Sequence, residues 1–387
     1  MRVLIAFDKF KDSLTAAAAC SAAARALRSR HPEWTLDVCP LTDGGDGFAH
    51  ILTAAAGGRL QPIQVAGPRG GMVSAPVGMV ALKQLPPTVS AMLALPAGLP
   101  AAGSLAVVEM AAASGLALLP PEMRDPWQTS SYGTGQLVRA AAEMGATAIL
   151  IGVGGSATND LGLGALGALG LEFLTAEGRS VRTPVPARWP EIARLGEEVF
   201  RSIPPIRIAC DVANPLLGPK GAAAVFAPQK GLQPGQGGRL DSESARMAAM
   251  LCEHCGKPPS LADAPGAGAA GGFAFGFLAA ARARLLPGYA LVAAWLDLES
   301  RLAAADLVLT GEGRFDGSSL GGKGPGALAA RALELGKPTH VFAGQVALPK
   351  ERAGVLALHA ISPPGEPLEE AKRNAAAHLT AAVQEVF

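Results

Sequence analysis

Stretches of one charge are missing from this chain. Its 33 basic residues and 32 acidic residues leave a formal net charge of +1, and no run of Lys or Arg breaks the balance, so the electrostatic footprint of a nucleic-acid binder is absent. Cysteine is sparse and odd in number: Cys20, Cys39, Cys210, Cys252 and Cys255 are scattered over 387 residues. That argues against a disulfide framework and for reduced thiols in the cytoplasm. Cys252-Glu253-His254-Cys255 has the look of half a zinc site, but no second Cys/His pair lies near enough to complete a tetrahedron. The opening residues gather charge at Asp8, Lys9, Lys11 and Asp12 and lack the apolar core of a signal peptide. The one long uncharged run, 264–281, is mostly Gly and Ala and reads as a loop leading into a buried helix, not as a membrane span. No internal repeat of fixed period is visible.

The familiar catalytic fingerprints are missing too. There is no G-x-x-x-x-G-K-[ST] loop, since Gly321-Gly322-Lys323 lacks both the leading glycine and the hydroxyl. Gly152-Val153-Gly154-Gly155-Ser156 matches part of a dinucleotide fingerprint, yet Ala157 stands where the third glycine belongs. His31, His50, His254, His340, His359 and His378 all fall in helical or strand contexts, which leaves a Ser-His-Asp hydrolase without an obvious base.

What is present is a well-buried composition, 49% hydrophobic and 17% charged, on a chain longer than one core usually supports. Two domains are expected. Thr147–Val153 reads as a buried strand that stops at Gly154 and Gly155, and Ser156, Thr158, Asn159 and Asp160 follow at once. Glycines there allow close approach of a ligand to backbone N–H groups, while Asn and Asp can hold a divalent cation or orient a hydroxyl. A glycine turn with a helix cap would explain this stretch taken alone.

Its company favours chemistry. Arg2–Ala6 is an expected strand ending in Asp8-Lys9-Phe10-Lys11-Asp12-Ser13, with Ser13 as a cap for the Ala-rich helix that follows. Thr35–Pro40 is a second strand ending in Thr42-Asp43-Gly44-Gly45-Asp46-Gly47. Asp211 and Asn214 follow the strand at 207–210, Lys230 lies close behind, and Ser131 and Thr134 open a helix before the central strand. Residues 265–272 form another glycine loop, and Gly311-Glu312-Gly313-Arg314-Phe315-Asp316 ends the strand at 306–310. In open α/β sheets the loops at the carboxyl ends of the strands line the ligand crevice. Glycine, aspartate, lysine and arginine are what phosphoryl transfer requires: positioning, a metal bridge, cations on the moving charge and a carboxylate near the acceptor hydroxyl. The Pro-rich stretch Leu82–Gly103 reads as an irregular loop or flap, and 67–71 as a turn at a domain exit. Strand–helix alternation at both ends predicts a first domain built from 1–68 and 290–387, with a second α/β domain, 69–289, inserted in it.

Eight blocks carry a resemblance. D-K-F-K-D-S at 8–13, T-D-G-G-D-G at 42–47, E-M-A-A-A-S-G-L at 109–116, S-Y-G-T-G at 131–135, G-V-G-G-S-A-T-N-D at 152–160, A-C-D-V-x-N-P-L at 209–216, P-G-A-G-A-A-G-G at 265–272 and T-G-E-G-R-F-D at 310–316 closely resemble the bacterial type I glycerate kinases. The resemblance spans essentially the whole chain. It implies an ATP- and Mg2+-dependent kinase acting on D-glycerate, with the 2-phosphate as the favoured product. It also implies a flavodoxin-like parallel-sheet domain from both termini, a second α/β domain, and an active site between them.

The residue roles are read from the side chains themselves: Asp8 and Asp211, at the ends of strands in different domains, are candidates for the base and for a metal ligand, with Lys9 and Lys11 as catalytic cations. Arg314, Asp43, Asp46 and Ser131 are expected at the substrate, and Gly154, Gly155, Ser156, Asn159, Lys230, Gly268 and Gly271 at the nucleotide. Asp160 and Glu312 join Asp211 as expected metal ligands. No nucleic-acid or membrane partner is expected; a homo-oligomer is left open. An NAD(P)-dependent hydroxy-acid dehydrogenase and a non-catalytic two-domain binding protein stand as alternatives.

Overall fold

The computed structural model describes the chain apart from residues 101, 197–202, 318, 320–323 and 349–355, so the triplet 321–323 lies outside the described residues. The chain folds as two compact units, Met1–Asp43 with Val292–Phe387, and Gly44–Leu291. In chain order the strands are β1 (Arg2–Phe7), β2 (Thr35–Val38), β3 (Arg59–Ala66), β4 (Met72–Ala81), β5 (Ser104–Glu109), β6 (Ala148–Gly152), β7 (Phe173–Leu174), β8 (Arg194–Leu195), β9 (Ile206–Ala209), β10 (Arg284–Leu286), β11 (Leu307–Phe315), β12 (Thr339–Val346) and β13 (Ala357–Ala360).

In the first unit every neighbouring pair is parallel and the order is β13-β12-β11-β1-β2. Counted within the unit this is 2-1-3-4-5, the flavodoxin-like order. Val3–Phe7 is buried without alternation, as a strand covered on both faces must be. Phe342 packs with β1 residues and with the helices Ala16–Arg30 and Leu368–Val386, whereas its neighbours Val341 and Ala343 pack with Phe315 and Ala329 of the helix Gly324–Glu334. Alternation along β12 thus serves two helical layers. The expected cap Ser13 is not the cap. Thr15 accepts the Ala18 N–H at 3.1 Å, and the Ser13 hydroxyl instead donates to the Lys372 carbonyl at 2.7 Å.

The second unit carries the order β10-β9-β6-β5-β4-β3, with β7 and β8 as a separate ribbon. β10, β9, β6 and β5 are parallel, but β4 and β3 run antiparallel. This moves the boundary expected at residue 68. Residues 67–71 form a hairpin turn, and β3 pairs with β4 from Arg59 opposite Met79 to Ala66 opposite Met72, so 44–68 belongs to the second unit. The Pro-rich stretch is also more regular than expected: Pro87–Leu93 is helical, with proline at its first position, where its missing N–H costs nothing. Its last carbonyls are met by a buried guanidinium, Arg207, which donates to Leu93 and Ala94.

β11 continues beyond the expected strand end through Gly311–Phe315, which places Glu312 and Arg314 on the strand itself. Glycine is required there for packing, since a Cβ on Gly311 would lie 1.7 Å from the Phe342 carbonyl oxygen. Gly311→Ala should therefore cost about 3 kcal/mol or more in urea unfolding. Gly336→Ala, at φ 68 with nothing within 4 Å, should cost only about 1 kcal/mol. Equal losses for the two variants would show that β11 and β12 can separate to admit the methyl group.

Candidate active site

The first unit has its topological switch point between β1 and β11, where the strand order reverses. Asp8 follows β1 there. Its N–H donates to the Gly311 carbonyl at 3.0 Å, and its Oδ1 accepts the Lys9 N–H at 2.6 Å. Only 6% of Asp8 is exposed, and burial pushes its carboxyl up to about 7. The Lys9 charge and N–H oppose this, while the charges of Asp43 and Glu312 add to it. Lys9 Nζ lies 3.6 Å from Asp43 Oδ1. Glu312 is raised too, chiefly by burial, with a hydrogen bond from Ser319 lowering it and the Asp43 and Asp316 charges adding to the rise. Among the described residues this is one lysine beside three mutually repelling carboxylates, an acidic centre.

Two expected members sit at its margin. Lys11 is exposed, although its backbone is close enough that a Cβ on Gly313 would meet Lys11 N at 3.0 Å. Arg314 is exposed and donates through Nε to Asp316 Oδ2 at 3.1 Å.

In the second unit, β6 is buried along its whole length and delivers 153–160 to the sheet's carboxyl edge. Glycines make the turn possible by close approach. A Cβ on Gly154 would lie 2.7 Å from Gly45 Cα, and the Gly154 N–H donates to Gly44 O at 3.0 Å. Gly155, at φ 70, is exposed beside the Asp46 carboxylate, about 3.5 Å from where its Cβ would be. Gly271 and Gly268 serve likewise: a Cβ on the first would meet Thr158 O at 2.1 Å, and on the second Pro215 O at 2.2 Å. Ser156–Asp160, Asn214–Pro215 and the 265–272 loop are thereby brought together.

Asp160 is wholly buried and its carboxyl is pushed up by that burial, against four donors that favour the anion. Oδ2 accepts from Ser131 N at 2.7 Å, Ser131 Oγ at 2.8 Å and Gly164 N at 3.2 Å, and Oδ1 accepts from Gly162 N at 3.2 Å. Through these bonds Asp160 and Ser131 pin the loop. The second unit's other expected carboxylate is Asp211. It follows β9, and its Oδ2 accepts the Tyr289 N–H at 2.8 Å at the start of the helix Gly288–Trp295. Among the described residues no three His, Cys, Asp or Glu side chains are grouped to hold a metal unaided.

Lys230 Nζ donates to Ser156 Oγ at 3.0 Å and to Thr158 O at 2.6 Å. Both amide atoms of Asn159 and the Thr158 hydroxyl are buried without a partner. Glu109 and Ser114, quoted in the sequence only as parts of the 109–116 block and given no role there, also make buried contacts. Glu109, buried at the end of β5, accepts the Ala49 N–H at 3.1 Å and anchors the helix after 42–47; Ser114 and Thr134 share a buried hydroxyl pair at 2.8 Å. An acid closing an apolar strand was the available signal for Glu109.

Fold and site together define an α/β protein of two units, with an acidic lysine-bearing centre at the switch point of one and a glycine-rich, cation-backed loop at the strand ends of the other. The chain belongs to the glycerate kinase family, whose model matches residues 3–387. It is 36% identical over 393 residues to the glycerate kinase of Bacillus subtilis (strain 168), covering 100% of this chain and 97% of that one. It is also 36% identical over 367 residues to the glycerate 2-kinase of Escherichia coli (strain K12), covering 93% and 89%. A crystal structure assigned to glycerate kinase 2 from Salmonella typhimurium LT2 superposes with a TM-score of 0.71 at 34% identity, over 100% of this chain and 97% of that one. The dehydrogenase and the non-catalytic binder find no support in these relatives. No helix of the described residues is long and apolar enough to cross a membrane.

The carboxyl of Asp8 should titrate near pH 7 in the nucleotide-free protein, as read by carboxyl carbon NMR. Lys9→Met removes a charge that lowers this midpoint, so it should move up. Because the folded state holds the Asp8 proton to higher pH than the unfolded chain does, stability falls as pH rises toward 7. Asp8→Asn should then raise the melting temperature at pH 8 by about 2 °C or more. An unchanged or lower value would mean that the Asp8 charge is not held at a cost.

Proposed function

We propose that this protein transfers the γ-phosphoryl group of ATP to D-glycerate, giving ADP and 2-phosphoglycerate. Membership of the glycerate kinase family supports the reaction, and the E. coli relative's name supports the 2-position. The observation that carries the reading in residue terms is Asp8, a buried carboxylate at the switch point whose affinity for a proton is raised into the neutral range. A general base works best when its pKa lies near the working pH.

In this reading the first unit's centre carries the chemistry and the second unit's loop holds phosphate. Asp8 takes the proton from the glycerate hydroxyl as its oxygen bonds to the γ-phosphorus, and the bond from that phosphorus to the β–γ bridging oxygen breaks with its electron pair leaving on ADP. Lys9 and Lys11 offset developing negative charge, and Arg314 holds the glycerate carboxylate, for which a guanidinium offers paired donors. Gly154, Gly155 and Ser156 cradle phosphate oxygens, with Lys230 behind them and Gly268 and Gly271 keeping the backbones close.

Oxygen-only donors short of positive charge suit Mg2+, which is usually held by one or two carboxylates together with substrate phosphates. Glu312 and Asp43 are the residues proposed to hold it. When bound, it would neutralise phosphate charge. Five free cysteines suit work in the cytoplasm, where ATP is abundant.

A coupled assay should show ATP consumption that depends on added D-glycerate, with phosphorus NMR identifying the product. Asp8→Asn should lower kcat by about 10²- to 10⁴-fold with little change in either KM. Asp211→Asn, which keeps an acceptor for the Tyr289 N–H, should be far milder. A near-normal Asp8→Asn enzyme would remove Asp8 from the chemistry. Arg314→Lys should raise KM for glycerate and leave that for ATP unchanged; an effect on ATP alone would assign Arg314 elsewhere.

A further inference from the structure

Lys230 is the most deeply buried cation of the second unit's site, with 2% of its surface exposed. Its two hydrogen-bond acceptors, Ser156 Oγ and Thr158 O, are both neutral. Among the described residues the charged group that acts on it is Asp160, whose carboxylate accepts hydrogen bonds from Ser131, Gly162 and Gly164 and not from Lys230. Next to it, Gly231 packs on the uncharged backbone of Arg124, where a Cβ would lie 2.0 Å from the carbonyl oxygen. Two acceptors match the two N–H groups of a neutral amine, whereas an ammonium would carry a third N–H with no acceptor among the described residues. A buried charge without a counter-ion is costly.

On the water side of Lys230 the layout differs. Ser156 is 8% exposed and the adjoining Gly155 is open to solvent. An anion seated against Gly155 and Ser156 would bring negative charge within about 4–6 Å of Nζ, close enough to favour the ammonium. It would also supply the missing third acceptor.

We propose that Lys230 couples nucleotide binding to proton uptake: a mostly neutral amine in the nucleotide-free protein, it becomes an ammonium as the phosphate chain arrives. The proposal rests on the reading of the Gly154–Ser156 loop as the phosphate cradle. Burial lowers the Lys230 pKa to about 7 in the free protein, which sets the pH at which the effect is visible. The lysine acts as a positioning and charge-compensating residue behind Ser156, not as a group on the reacting atoms.

The test is calorimetric titration of the full-length protein with ADP and Mg2+ in two buffers of unlike ionisation enthalpy. At pH 8 the wild type should take up about 0.5–0.9 proton per ADP, and near pH 5.5 almost none, because Lys230 is then already charged. Lys230→Arg, permanently charged, should bind ADP at pH 8 without uptake. Lys230→Met, of similar shape, should bind at least about tenfold more weakly, also without uptake. Wild-type binding with no buffer dependence at pH 8, or equal uptake by Lys230→Arg, would overturn this coupling and leave the nucleotide reading standing. Failure of the wild type to bind ADP at all would overturn both.

Discussion

Charge taken out of water is the constraint on which the second unit's site depends. Asp160 has no exposed surface, and a lone buried carboxylate would be ruinous to stability. Four donors from Ser131, Gly162 and Gly164 make it tolerable, and meeting those donors fixes the path of the chain. The start of the 132–143 helix, the turn after β6 and the helix at 163–168 are held at one point as a result. Lys230 then has a defined surface to lie against, and Gly155 and Ser156 are left at the edge where solvent and ligand can reach them.

The first unit treats charge differently. Asp8 is buried as well, but with one backbone donor and with acidic neighbours, so its charge is opposed instead of welcomed. Strain of this kind is characteristic of residues kept for chemistry. The contrast separates two aspartates that each come after an apolar strand in the sequence, Asp8 directly behind β1 and Asp160 a loop behind β6. Asp160 meets four donors; Asp8 meets one, beside acidic neighbours.

Glycine is the second shared device. Gly154, Gly268, Gly271 and Gly311 each stand where a Cβ would fall within 2.7 Å of another segment's backbone. They bring together loops from distant parts of the chain without the help of bulky side chains. The two unpartnered groups nearby, the Asn159 amide and the Thr158 hydroxyl, are the buried polar atoms that this tight packing leaves unpaired.

Much of this was legible in the residue order. The apolar runs of β1 and β6, with Asp8 directly behind the first and the glycines and Asp160 behind the second, announced parallel strands handing over to polar loops, because burial on both faces leaves no alternation and strand ends face the crevice. The pairing of the two chain ends in one unit was also readable from the alternation of strand and helix. The β3–β4 hairpin was not, because a Gly-Pro-Arg-Gly-Gly turn looks the same whether it closes a domain or reverses a strand within one. Nor were the hydrogen-bond partners of Asp160, Asp211 and Lys230. Which donors an acid meets and which acceptors an amine meets, and how much water each keeps, depends largely on residues distant in the chain, and only the folded chain brings them within hydrogen-bonding distance.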